Sequence, residues 1–236
     1  MKNKNYMQFL TKEYLMGPNS LGLLEELLEL LPAEARTGRI LDLGCGMAAT
    51  SLFLAREAKA DTVFAADLWI TPSDNLRRIR QWGENRRIIP LHCDAADMPF
   101  ADGYLDLIVS VDAYHYFGCE DGFFGQKIYP LLAEGGRVLI AVPGIKEEYA
   151  ADIPPLLAEW AQEDARFFHS QSWWAEHLAR GTQGITFTLK ESERFDSHWQ
   201  DWFDSGHEYA ANDLEYFRRG LGNMLCFVLI MAEKTI

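Results

Sequence analysis

The sequence has no apolar run of the ~18 residues needed to cross a bilayer. Its N-terminus, MKNKNYMQFLTKEY, also lacks the continuous apolar stretch of a secretion signal. A soluble, cytosolic protein with no membrane partner is the expectation. Cysteine is scarce: there are four, Cys45, Cys93, Cys119 and Cys226, with no C-x-x-C pair. That spacing argues against a disulfide or zinc framework, and Cys93 and Cys226 fall in strand-like segments where a small apolar side chain suits a core. Basic residues are few, with 22 Lys and Arg against 35 Asp and Glu and a net charge of −13. Five arginines are concentrated in LRRIRQWGENRRIIP, Leu76 to Pro90, beside Glu84; this stretch carries +4 and the remainder −17 (−13 minus +4). Most of such a surface repels a phosphate backbone, which speaks against a nucleic-acid partner, and the arginine run reads as a solvated helix face.

What is present is an ordinary globular composition, 48% apolar and 24% charged over 236 residues, enough for one sizeable α/β core. NSLGLLEELLELL, residues 19 to 31, places Leu at i, i+3, i+4 and i+7 behind Asn19 or Ser20 as caps, an amphipathic helix that Pro32 ends. From Arg39 the pattern alternates. RILDL, DTVFAAD, RIIPLHCD, LDLIVSVD and RVLIAVP read as strands, the last introduced by the turn AEGG, with helices after the first two. Such alternation predicts a parallel sheet with helices on both faces, and Pro90 suggests that the third strand lies at an edge or carries a bulge. The last ninety residues are helical and aromatic, with ITFTLKESERF and MLCFVLIMAEK as further strands and no linker before them. A single domain is expected, with residues 1–37 an N-terminal lid and helix, 38–143 a ligand-binding half, and 144–236 an insert followed by the final strands.

In an open parallel sheet, ligands lie at the carboxyl ends of the strands where the strand order reverses. The first three strands here end in Asp42, Asp67 and Asp94. Acids in that position repel a pyrophosphate and favour a ligand that offers hydroxyls, an amino group or positive charge. Gly44-x-Gly46-x-x-Ala49 nevertheless satisfies the dinucleotide fingerprint, with Asp67 placed for a ribose, so a nicotinamide-dependent oxidoreductase is a rival reading.

The whole set resembles the class I S-adenosylmethionine-dependent methyltransferases of the small-molecule, methyltransferase-11-like type, over about Arg39 to Pro143. LDLGCGMAATS resembles the family's first motif and AADLW the acidic end of its second strand. CDAADMPFADGYLDLIVSVDAYHYF resembles the stretch from the third-strand acid through the fourth strand, and LLAEGGRVLIAVP the turn and fifth strand. Ala48 stands where the first motif often has a third glycine. The resemblance implies a Rossmann-like, doubly wound, mostly parallel seven-stranded sheet with an antiparallel last strand, and S-adenosylmethionine as cofactor.

It further implies that Asp67 accepts the ribose hydroxyls, that Gly44, Cys45 and Gly46 approach the methionine portion, and that Asp42 orients their loop. Asp94 and Ala95 would meet the adenine edge, Leu68 and Trp69 the adenine face, and Val111 the methionine part. Structural alternatives stand beside these: Asp67 as a helix cap and Trp69 as core. In-line methyl transfer needs alignment and water exclusion more than acid–base machinery. Where a base is used, His115 is the candidate, with Tyr114 shaping the pocket; the alternative is that His115 packs against the next helix. Tyr14 would belong to a lid. Trp160, Trp173 and Trp174 would either fill the core or build an acceptor pocket, to which His207 adds a polar group, and no metal is expected. The implied acceptor is a small molecule. A regulator that binds the cofactor without turnover is the non-enzymatic alternative.

Overall fold

The computed structural model describes residues 4–149, 152–180 and 182–235. After a 3-10 helix at Lys4–Phe9, the chain forms α1 (Ser20–Leu28), β1 (Arg39–Leu43), α2 (Ala49–Glu57), β2 (Thr62–Asp67), α3 (Pro72–Gln81) and β3 (Ile88–His92). It continues through β4 (Leu105–Val111), the short α4 (His115–Gly118), β5 (Leu132–Ile145), α5 (Pro155–Ala161) and α6 (Gln171–Ala179). The last elements are β6 (Ile185–Glu191), α7 (Phe195–Phe203), α8 (Glu208–Arg218) and β7 (Leu225–Lys234).

The strands make one seven-stranded sheet in the order β3-β2-β1-β4-β5-β7-β6. The first five are parallel, and β7 runs antiparallel to both β5 and β6. This is the mixed, doubly wound sheet that the resemblance implies. Both faces are covered, which explains why the inner strands read as unbroken apolar runs. Ile40, Leu107 and Leu139 pack beneath α1, α2 and α7, whereas Leu41, Ile108 and Ile140 pack against α6 and the Phe123–Leu131 stretch. Because β1 lies between β2 and β4, the strand order reverses there and opens a crevice above their carboxyl ends. Asp106 ties the opposite end, accepting from the Arg39 backbone N–H at 2.9 Å and pairing with the guanidinium groups of Arg39 and Arg36.

Local details depart from the sequence reading in two places. α1 stops at Leu28, before Pro32, because its last carbonyls are closed by the Glu29 N–H and by tighter turns at Leu30 and Leu31. Its start is as expected: the Asn19 side chain accepts from the Gly22 N–H at 2.8 Å while donating to Asp201 at 2.6 Å. β5 begins at Leu132 rather than after the AEGG segment, which is a bulge inside the strand with a register shift opposite Leu105 and Leu107. β3 is the edge strand, so Pro90, opposite Ala65, withholds a hydrogen bond from no second neighbour. Three of the five arginines are held locally: Arg77 pairs with Asp74, Arg78 with Asn75, and Arg87 with Glu84.

Candidate active site

The turn after β1 makes the floor of the crevice. Gly44 has φ +77, and a Cβ there would lie 2.3 Å from that of Ala113, so β1 and the segment after β4 approach as closely as backbone permits. The Gly44 and Cys45 N–H groups donate to the Ala66 carbonyl, and the Gly46 N–H donates to Asp67 Oδ2 at 2.8 Å. Ala48 adopts φ +61 at the start of α2, a left-handed conformation that glycine would take without strain. The departure from the usual third glycine therefore costs backbone energy more than space.

Asp67 is more committed than a lone ribose acceptor. Oδ2 takes the Gly46 N–H, and Oδ1 takes the N–H groups of Trp69 and Ile70, each at 2.8 Å. It thus joins the β1 and β2 turns and also lines the cavity. Asp94 Oδ1 accepts from the Ala96 N–H at 2.8 Å, closing the turn after β3.

Together these turns enclose a cavity of about 350 Å³. Of the residues singled out from sequence, Gly44, Cys45, Gly46, Asp67, Leu68, Trp69, Asp94, Ala95, Val111 and Tyr14 line it. Five others do not. Asp42 is buried behind the glycine turn, where Oδ2 accepts from Thr50 at 2.7 Å and Ser51 at 2.6 Å; it fixes the first turn of α2 and reaches no ligand space. His115 faces the interior, 3% exposed, with its ring between Tyr116 and Phe168, and burial pushes its pKa down to about 3. It is a neutral core histidine and no base for this cavity. Tyr114 is equally enclosed, against Phe117, Phe123 and Trp174. Trp173 stacks between His169 (3.6 Å) and His177 (4.4 Å) in the second core cluster. His207 caps α8, accepting from the Tyr209 N–H, and lies against Trp202. Trp160 and Trp202 both donate to Asp213, and Trp174 is fully buried, so the aromatic insert is mainly core.

Further lining residues that the sequence reading did not single out are Met16, Gly17 and Pro18 from the segment before α1, and Asp112, Ala113, Tyr116 and Phe117 after β4. The signal for Asp112 was present, since it follows the fourth strand as Asp42, Asp67 and Asp94 mark the ends of the first three. Asp112 is held at φ +55 with its N–H on the Ala141 carbonyl, and burial raises its pKa to about 7. Among the described residues, no Lys, Arg or His lines the cavity, and no cluster of three or more His, Cys, Asp or Glu is placed to hold a metal.

Burial also raises the pKa of Asp42 to about 6, with the nearby Asp67 charge adding to the shift and the Ser51 and Thr50 hydroxyls opposing it. A carboxyl whose folded pKa lies above its unfolded value stabilises the protein when protonated, and that gain is lost as pH rises through about 6. Acidification from pH 8 to pH 5 is expected to stabilise the wild type by about 1–1.5 kcal/mol more than Asp42→Asn. Urea denaturation of both proteins at the two pH values checks this; equal differences would remove Asp42 as the titrating group.

Residues 40–136 match the family described as methyltransferase domain. The chain is 29% identical over 156 residues to a malonyl-[acyl-carrier protein] O-methyltransferase of Geobacter sulfurreducens, covering 61% of this chain and 56% of that one. It is 28% identical over 95 residues to a tRNA (carboxymethyluridine(34)-5-O)-methyltransferase of Xenopus tropicalis, covering 39% of this chain and 15% of the relative. The chain thus spans about half, or less, of the length of these curated relatives. Among solved structures, phosphoethanolamine N-methyltransferase 2 of Haemonchus contortus in complex with S-adenosyl-L-methionine superposes with a TM-score of 0.77 at 18% identity, over 98% of this chain and 56% of that one. The match over residues 40–136 and the sheet topology thus make the chain similar to methyltransferase domains, with the fold of the S-adenosylmethionine-bound enzyme.

Proposed function

We propose that this chain transfers a methyl group from S-adenosylmethionine to a small-molecule acceptor. The observation that carries the reading is the composition of the cavity wall: a glycine turn cut back to backbone, three aspartates, and no basic side chain among the described residues. A nucleoside with a sulfonium and no phosphate suits that wall, whereas a pyrophosphate would meet only carboxylates. Asp67 is the group for the ribose hydroxyls, with Asp94 and Ala95 for the adenine edge and Gly44 and Gly46 for the methionine portion. The cofactor, when bound, supplies an electrophilic methyl group. The chain's own residues hold the two reactants in line and exclude water, with Met16, Leu68, Trp69 and Tyr116 forming the rim. Support for a small acceptor comes from the modest cavity and from the acidic surface, which discourages a nucleic-acid substrate.

Calorimetry is expected to give micromolar or tighter binding of S-adenosylhomocysteine and none of NADH. Binding of NADH alone would establish the oxidoreductase reading instead. Incubation with methyl-labelled cofactor should then label small molecules and leave tRNA and acyl-carrier protein unlabelled; label on either macromolecule would overturn the assignment of acceptor class. Binding without transfer to any acceptor would leave the non-catalytic regulator as the better account.

A further inference from the structure

The three aspartates on the cavity wall differ in what they hold. Asp67 accepts three backbone N–H groups and Asp94 accepts one. Among the described residues no hydrogen bond or ion pair reaches the Asp112 carboxylate, although it is enclosed enough for burial to move its titration close to neutrality. Its backbone is left-handed at φ +55, an unusual choice for a non-glycine residue, and the side chain projects from β4's end toward the segment before α1. Opposite it, a Cβ on Gly17 would lie 2.6 Å from Asp112 Oδ2, so the wall is cut back to glycine where the carboxylate points. At the rim, Trp69 is 67% exposed and Tyr116 is 41% exposed, with their rings edge to face at 5.6 Å. Two open aromatic surfaces beside an unpaired carboxylate make a receptor for an organic cation, combining charge pairing with cation–π attraction.

Resting on the methyltransferase reading above, we infer that the methyl acceptor is an amine bearing an apolar group, with Asp112 holding its ammonium and Trp69 and Tyr116 flanking it. The lack of Lys, Arg or His on the cavity wall among the described residues disfavours an acceptor anchored by phosphate or carboxylate. Asp112 takes a proton from the ammonium, which frees the nitrogen lone pair. The N–C bond then forms as the methyl C–S bond breaks, its electron pair passing to sulfur, so that S-adenosylhomocysteine leaves with the transferred proton still on Asp112. The other titratable side chains lining the cavity with Asp112 are Asp67, Asp94, Cys45, Cys93, Tyr14 and Tyr116. Of these, Tyr116 is pushed up to about 12 and Cys45 well above its ordinary range, both chiefly by burial. They stay protonated near neutrality, while Asp42, raised to about 6, is buried behind the glycine turn and does not line the cavity.

The test uses the full chain saturated with S-adenosylhomocysteine and three matched probes, benzylamine, benzyl alcohol and benzyl phosphate, titrated by calorimetry at pH 8. Benzylamine is expected to bind at least tenfold more tightly than either of the others, and Asp112→Asn to abolish that preference while S-adenosylhomocysteine affinity stays within threefold. Benzyl phosphate binding as well as the amine, a preference that survives Asp112→Asn, or no binding of any probe would each overturn the inference. So would a tenfold loss of S-adenosylhomocysteine affinity in the variant, because Asp112 would then belong to the cofactor's own site. Failure of the wild type to bind S-adenosylhomocysteine at all would instead sink the methyltransferase reading beneath it. If Asp112→Asn does not fold, the wild type decides: its benzylamine affinity must fall as pH drops from 8 to 6 and the carboxylate takes up its proton, and a flat profile rejects the role.

Discussion

Asp67→Ala is expected to lose at least a hundredfold in S-adenosylhomocysteine affinity and to unfold at lower denaturant than the wild type. Three backbone N–H groups converge on this one carboxylate at 2.8 Å, from the β1 turn and from the start of the segment leading into α3. Hydrogen bonds to a charged acceptor contribute about 1.5–3 kcal/mol each, but water replaces part of the loss at a site on the cavity wall. A net destabilisation of about 2–4 kcal/mol follows, since the three bonds share one group and are not additive. The binding loss has two sources, the missing ribose contact and a Gly46 turn no longer tied to β2. Asp67→Asn separates them only in part, because its amide presents a donor to one of the N–H groups. Calorimetry on the folded variant reads the first effect and urea denaturation the second; wild-type affinity with reduced stability would make Asp67 a purely structural brace.

Gly44→Ala is expected to be as severe through a different cause. At φ +77 a Cβ costs about 1 kcal/mol in backbone strain alone. The added methyl would also sit 2.3 Å from the Ala113 Cβ, so the tips of β1 and β4 must separate and both bonds to the Ala66 carbonyl stretch. We expect a destabilisation of about 2–4 kcal/mol and loss of measurable S-adenosylhomocysteine binding. Gly103→Ala is the control. It has φ +67 but nothing within 4 Å of its would-be Cβ, and should lose only about 1 kcal/mol with cofactor affinity intact. Equal effects at the two glycines would show that strain, and not the close approach of the strands, is what Gly44 relieves.

Much of this could be seen in the residues themselves. Unbroken apolar runs ending in acids marked the parallel strands, and the sheet's own geometry places their tips around one crevice. Pro90 signalled an edge because a missing N–H is tolerated only there. The β5 bulge was less visible, since a Gly-Gly pair serves a turn and a bulge equally well. Which residues after β4 face the cavity was harder to read, for reasons of orientation. After β4 the chain enters a four-residue helix, and neighbouring side chains there point about 100° apart, so His115 is turned inward while Tyr116, one residue on, reaches the cavity. The tryptophans of the insert were ambiguous in principle, because a large ring lines a pocket or fills a core with the same composition. Here Asp213 bonds two indoles, and His169 and His177 sandwich another.

That sandwiching of the insert has an evolutionary corollary. Changing those rings to admit a new substrate would open voids beneath the sheet, and each large-to-small replacement in a packed core costs about 3–5 kcal/mol. The mouth formed by Met16, Leu68, Trp69 and Tyr116 is free of that constraint, with each of the four side chains already in contact with water. Descendants of this scaffold can therefore diversify what they modify by exchanging a few residues at its lip, while the aromatic ballast behind it stays fixed.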